Sequence, residues 1–288
     1  MNKNCILALA AIIVTTLWSC GTNNVNDSGN YMANDNDQVT DSTLCQFRNI
    51  KVEKMYSYYD EERDTLYFDN TFTAFWPEII NGKPCTELQQ ALFRAMTDSA
   101  ELNQLDKVTD FLLDPSNYTD YESKLLMPAK SVKDDENKLS TSEVKVNMES
   151  MTDRLLTYHL GTYSYLAGAV HGIYAHNYVT YDLQTDKAVT LDDVVADTTM
   201  LRTAILRSIK QTYDYDKDDL FIPDNGLLPL PRDFYFDNSV MHVIYQVYEI
   251  ASYAQGLIDA PIFPYMLKPE EIKRLFTPYG LELIDYTE

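Results

Sequence analysis

The sequence predicts an α+β fold, with antiparallel sheets packed against a few helices in two small subdomains. Three observations point there. Short segments in which apolar and polar residues alternate recur along the chain. Two stretches instead carry apolar residues every third or fourth position, the spacing of a helix with one buried face. The two kinds do not follow one another in the strand, helix, strand rhythm of a parallel α/β sheet. Hydrophobic residues make up 45% of the chain, enough to build a core.

Phe47 to Glu53 alternates as a strand does, and Thr65 to Phe75 reads as a second strand rich in aromatics. Glu87 to Leu113 follows helical spacing through Leu88, Leu92, Met96, Leu105, Val108 and Leu112. Residues 115–140 read as loop, with Asp114-Pro115-Ser116-Asn117 and a charged run from Lys133 to Lys138. A domain boundary is expected near residue 145. Beyond it, Leu155 to Leu166 and Ile173 to Leu183 read as strands, and Gln184 to Lys187 as a turn. Thr198 to Tyr213 has helical period, with Leu201, Ala204, Ile205 and Ile209 towards one face. The Pro-rich stretch Pro223 to Pro231 is irregular, and Asp237-Asn238 joins Phe234 to Phe236 with Val240 to Tyr248 as a hairpin. Pro269 suits the first turn of a short helix.

The first 20 residues read as an address. Lys3 supplies a positive start, Ile6 to Val14 an apolar run too short to span a bilayer, and Leu17-Trp18-Ser19-Cys20 resembles the cleavage site of a bacterial lipoprotein. That resemblance implies a signal peptide over 1–19, a lipidated Cys20, and a location outside the cytoplasm, anchored to the envelope. Gly21, where inner-membrane retention favours Asp, points to the outer membrane. Residues 20–43, rich in Asn, Asp, Ser and Thr, then form a tether. Folded domains are expected over 44–145 and 146–288.

Removing residues 1–19 takes away Lys3 and no acid, moving the net charge from −21 to −22. Such a surface repels phosphate backbones and anionic lipid, which argues against nucleic acid and against membrane contact other than through the anchor. It favours cationic partners and solubility. The 22 tyrosines suit half-wet strand faces and binding surfaces alike. Of four cysteines, Cys45 and Cys85 remain in the folded part. They either pair, closing a loop of about 40 residues, or stay as free thiols.

The motifs of known chemistry are absent or incomplete. No Gly-x-Ser-x-Gly elbow is present. His171 and His176, of the four histidines, would face opposite sides of a strand, so a metal pair is not expected. Asp214, Asp216 and Asp218 are spaced as the first calcium ligands of an EF-hand loop. Asp219 then stands where the loop needs Gly, and Asn225 where it needs a bidentate Glu. An exposed acidic helix end explains them as well. Asp192 and Asp193 read as capping or turn residues. No catalytic residue and no cofactor is therefore expected.

Three segments of the second half jointly resemble one known domain family. They are Leu166-Ala167-Gly168-Ala169-Val170-His171-Gly172, the run from Tyr178 to Asp193, and Phe234-Tyr235-Phe236 followed by Tyr245 to Gly256. The resemblance is to the extracytoplasmic RsiV/PdaC-type C-terminal domain, and residues 45–145 would be its usual N-terminal companion. It implies an α+β binding module rather than a catalyst, recognising a cationic cell-wall hydrolase such as lysozyme, or peptidoglycan fragments. The alternatives are an envelope glycan hydrolase using Asp or Glu carboxylates and a structural accessory subunit of an envelope assembly. Binding residues are expected on two loops, represented by Gly168, His171 and Tyr174 and by Phe221, Asn225 and Leu228.

Overall fold

The computed structural model describes residues 45–60, 64–119, 125–131 and 136–286; the leader, Cys20 and the tether lie outside them. β1 (Gln46–Asp60) and β2 (Asp64–Ile80) form a long antiparallel hairpin. β3 (Lys83–Pro84) folds back on β2, and α1 (Thr86–Thr97) and α2 (Leu105–Leu112) follow. After β4 (Met127–Pro128), which edges β1, β5 (Leu139–Met151) lies parallel to β2. β6 (Leu155–Tyr165), β7 (Ile173–Asp182) and β8 (Lys187–Ala188) extend the sheet antiparallel, giving the order β4-β1-β2-β5-β6-β7-β8.

Alternation decides which face of this sheet is buried. Phe72, Ala74 and Trp76 of β2, Val144 and Val146 of β5, and Leu156, Tyr158 and Leu160 of β6 all point to the side covered by Leu88, Leu92 and Phe93 of α1 and Val108 and Leu112 of α2. Each large apolar side chain buried there stabilises by about 1.5–3 kcal/mol. The intervening residues, among them Lys145, His159, Tyr163, Tyr174, His176 and Tyr178, project from the other face.

A second core lies C-terminal to the large sheet. α3 (Leu191–Val194) and α4 (Thr198–Tyr213) precede β9 (Asp233–Asp237), β10 (Val240–Tyr245) and β11 (Ile258–Ile262), an antiparallel sheet of order β11-β10-β9. α5 (Pro269–Leu275) and α6 (Pro278–Leu283) close it. Leu201, Ile205 and Ile209 of α4 pack on Phe234, Val243, Ile258 and Ala260, with Leu275 and Phe276. Asp197 starts α4 by accepting the N–H groups of Thr199 and Met200. Asp193 caps the short α3 instead, taking the Thr190 N–H and hydroxyl.

The architecture is α+β, dominated by antiparallel pairs, as expected. Two expectations about its parts need correction. The helical stretch Glu87 to Leu113 is two helices, because Asp98 takes a left-handed conformation and donates its N–H to the Arg94 carbonyl, ending α1. The boundary near 145 falls inside β5, whose pairing with β2 carries one sheet through both halves. β11 and α6 carried too short a pattern to be read beforehand. No helix among the described residues is long and apolar enough to cross a membrane.

Candidate functional site

β7 is where the two layers meet. Its edge beyond β8 is closed by side chains rather than by another strand. Gln246, just after β10, receives the His176 N–H on Oε1 at 2.9 Å and donates Nε2 to the His176 carbonyl at 2.7 Å. Its amide thus takes the place of a paired strand. Asp233, at the start of β9, accepts the Tyr178 N–H at 3.3 Å and lies 3.4 Å from Gln246 Nε2. Burial pushes the Asp233 carboxyl up to about 6, against those hydrogen bonds.

Above this seam the outward residues form a continuous run of rings that contains all four histidines. His242 donates Nδ1 to the Asp259 carboxylate at 3.0 Å and stacks on Tyr235, which stacks on Tyr178. Tyr178 leans on His159, and His159 Nε2 meets His176 Nδ1 at 2.9 Å. Tyr174 follows, its ring edge-on to both His176 and Tyr253. Tyr253 stacks on His171 with centroids 3.9 Å apart and meets Tyr248 at 5.6 Å. Two glycines make room. A Cβ on Gly161 would stand 3.1 Å from the His159 ring, and one on Gly172 would stand 2.5 Å from Tyr163. On β5, the ladder to β6 skips Glu149, so a bulge places that residue beside these strands.

The run ends at a cluster of three segments. Tyr253 donates its hydroxyl to the Gly172 carbonyl at 2.9 Å, tying the 166–172 loop to the 246–256 segment. Phe221 donates its N–H to the Ile250 carbonyl, and Tyr245 its hydroxyl to the Pro229 carbonyl, tying the Pro-rich stretch to the same segment. Three apolar side chains stand in water here: Val170 is 98% exposed, and Tyr248 and Phe221 are each 53% exposed. Tyr248 sits at φ 66° in the turn closed by the Glu249 N–H on the Gln246 carbonyl. A turn with that conformation at its third residue favours Gly or Asn. Every other non-glycine residue with positive φ among the described residues is Asn or Asp.

The expected binding residues divide accordingly. Gly168 and His171 lie on the first loop, whereas Tyr174, expected there, stands in β7 opposite Tyr163; His171 and Tyr174 both meet the 246–256 segment. Phe221 and Asn225 are both exposed, and Asn225 Oδ1 accepts the Leu227 N–H at 2.9 Å. Leu228, expected on a binding loop, is 1% exposed and packs in the second core. His171 precedes β7 and joins the same outward run of rings as His176, so the two do not take opposite faces of one strand as expected; the pairing of His176 with His159 was not expected. Its signal was present in the spacing His159, Gly161 opposite His176, legible only with the register in hand.

The other candidates fall elsewhere. Asp214 and Asp216 both take Lys210 as partner, and Asp216 also shares a capping box with Asp219. Asp218 is exposed in the same short turn. Among the described residues no three His, Cys, Asp or Glu side chains are grouped to hold a metal. Cys45 and Cys85 are unbonded thiols packed on the first core. Burial, then Cys45, pushes the Cys85 thiol up to about 12, which makes it a poor nucleophile at neutral pH. Cys85 borders a cleft of about 170 Å³ with Leu88, Tyr181 and Asp186. That is below the roughly 300 Å³ at which small-molecule pockets begin. The exposed side chains on the braced loops described above, by contrast, form a candidate docking surface.

This fold defines a class already known from solved structures. A DUF3298 family member from Bacteroides fragilis NCTC 9343 superposes with TM-score 0.58 at 17% identity, covering 82% of this chain and 95% of that one. Another, from Pseudomonas aeruginosa PAO1, gives TM-score 0.50 at 13% identity, covering 83% and 98%. Residues 187–263 match the family model described as a protein of unknown function, DUF3298, so the chain carries a DUF3298 domain. That span runs from β8 through β11 and includes Phe221, Asp233, Gln246, Tyr248 and Tyr253. No curated protein matches the chain.

Proposed function

We propose that this protein is an envelope-anchored binding protein, held outside the cytoplasm by a lipidated Cys20, of the RsiV/PdaC type. Its partner docks on the cluster formed by the 166–172 loop, the 246–256 segment and Phe221. The observation that carries this reading is the exposure of Val170, Tyr248 and Phe221 on segments braced by rings and hydrogen bonds. Folding has no use for a valine left almost wholly in water, nor for a tyrosine in a turn position that suits glycine. Rigid aromatic and apolar anchors are what a docking surface uses. A mature charge of −22 adds long-range attraction for a basic partner, and lysozyme or a peptidoglycan fragment is the ligand to try.

The test is calorimetric titration of the protein with hen lysozyme and then with soluble peptidoglycan fragments, at low and moderate salt. Saturable heat is expected with one of them. Val170→Asp and Tyr248→Ala are expected to weaken it at least about tenfold each while leaving the fold intact. Silence with both ligands at both salts removes the proposal.

A further inference from the structure

Two of the four histidines share a hydrogen bond in the middle of the ring run, and a proton count shows what acid does to it. His159 Nε2 and His176 Nδ1 are 2.9 Å apart, so one nitrogen carries the hydrogen and the other accepts it. A first proton leaves the contact intact, because N–H⁺···N is still a donor facing an acceptor. A second proton puts a hydrogen and a positive charge on both facing nitrogens. Neighbours hold both residues in place. Tyr178 leans on one side of His159, whose ring also lies against Gly161, and the backbone of His176 is clamped on both sides by Gln246.

We propose that the His159–His176 pair is a proton-operated latch on the docking surface: when both imidazoles are protonated they part, and the 166–172 loop and 246–256 segment loosen together. This rests on the binding reading for its purpose but not for its chemistry. The strain passes along contacts already described. His176 leads through Tyr174 to Tyr253, which holds His171 by stacking and Gly172 by a hydrogen bond. His176 also pulls directly on Gln246, the first residue of the turn that displays Tyr248.

The groups packed around the pair come from five elements. β5 contributes Lys145, which pairs with Glu143, and the bulged Glu149. β7 contributes Tyr174 and Tyr178. β9 contributes Asp233, Tyr235 and Asp237, and β10 and β11 contribute His242 with its partner Asp259. Glu249 lies beyond Gln246, accepting its N–H. Glu149 lies within electrostatic reach of His176 and His242. Burial opposes positive charge at His159 and, with the neighbouring His176, lowers the His159 imidazole to about 4. The second proton therefore enters late, well below the ordinary histidine range.

The test needs no partner. Imidazole resonances and amide hydrogen-exchange protection factors are followed on the purified protein from about pH 7 down to about pH 3.5. His159 is expected to titrate with a midpoint of about 4, and protection of residues 169–174 and 248–256 to fall about tenfold or more over the same step. His159→Phe keeps a ring over Gly161 and is expected to abolish that step while leaving the carboxylate titrations in place. Should His159→Phe fail to fold, His176→Phe serves in its stead. The proposal is overturned if His159 takes its proton near the ordinary value, if loop protection stays level while it does so, or if a folded ring variant keeps the acid step. A latch that titrates in a protein that binds neither ligand would leave this inference standing and the docking proposal fallen.

Discussion

Replacing Gln246 by a glutamate changes one atom pair and tests the seam between the two layers. Gln246 Nε2 donates to the His176 carbonyl at 2.7 Å and stands 3.4 Å from Asp233 Oδ2. Gln246→Glu turns that donor into an acceptor facing a carbonyl oxygen, which loses about 1 kcal/mol of hydrogen bond. It also sets a second carboxylate beside Asp233. Two charges at that 3.4 Å separation repel by about 5 kcal/mol at an effective dielectric of about 20, before relaxation. Relaxation and protonation reduce this, so a net loss of about 3 kcal/mol at pH 7 is expected, or roughly 6–12 °C in Tm.

The pH dependence has a definite sign. Asp233 is already raised to about 6 in the folded protein, and the carboxyl introduced beside it would be raised as well. Acids raised on folding bind more protons folded than unfolded, so the folded state gains as pH falls. The variant is therefore expected to recover most of its deficit relative to wild type between about pH 7 and pH 5. Gln246→Leu removes both hydrogen bonds without adding charge. It is expected to cost about 2 kcal/mol with little pH dependence relative to wild type. Urea denaturation of the three proteins at several pH values measures this. A Gln246→Glu protein within about 0.5 kcal/mol of wild type at pH 7, or one whose deficit ignores pH, would refute the account of the seam.

Two further outcomes follow from the structure. Asp182 has a fully buried carboxylate that accepts the Gln184 and Thr185 N–H groups, the Tyr279 hydroxyl at 2.8 Å and Arg154 Nε at 3.3 Å. Burial works against its charge but these bonds prevail, and its pKa is lowered. Asp182→Ala is expected to cost about 3–5 kcal/mol in urea denaturation, because four donors lose their acceptor at once. In wild type the contribution of Asp182 is present above the ordinary carboxylate range and is lost as pH falls below it.

How much of this was legible beforehand depends on the range of the interaction that decides each feature. α4 was legible to the residue, because helical period is local, although its cap is Asp197 rather than Asp192 or Asp193. The β9–β10 hairpin was legible from the Asp237-Asn238 turn, where Asn238 takes φ 50°. The strand pair β6 and β7 was legible from alternation, but not its register. Shifting it by one residue would carry His159 and His176 to the core face, and nothing near either histidine states which register holds. Leu228 illustrates the same limit: in a Pro-rich stretch no periodicity says whether an apolar residue is anchor or core, and the second core claimed it.

The sequence by itself determined the class of fold, the strands and helices of strong period, and the acidic charge that any partner must meet. Each follows from spacing or composition over a few residues. Only the tertiary structure decided that one sheet runs through both halves, that the four histidines join a single run of rings, and that the 166–172 and 221–231 segments meet on residues 246–256. The deciding contacts reach far along the chain, 17 positions between His159 and His176 and 81 between Gly172 and Tyr253. Their geometry is set by strand register and by the packing of two cores, neither of which leaves a periodic trace in the chain.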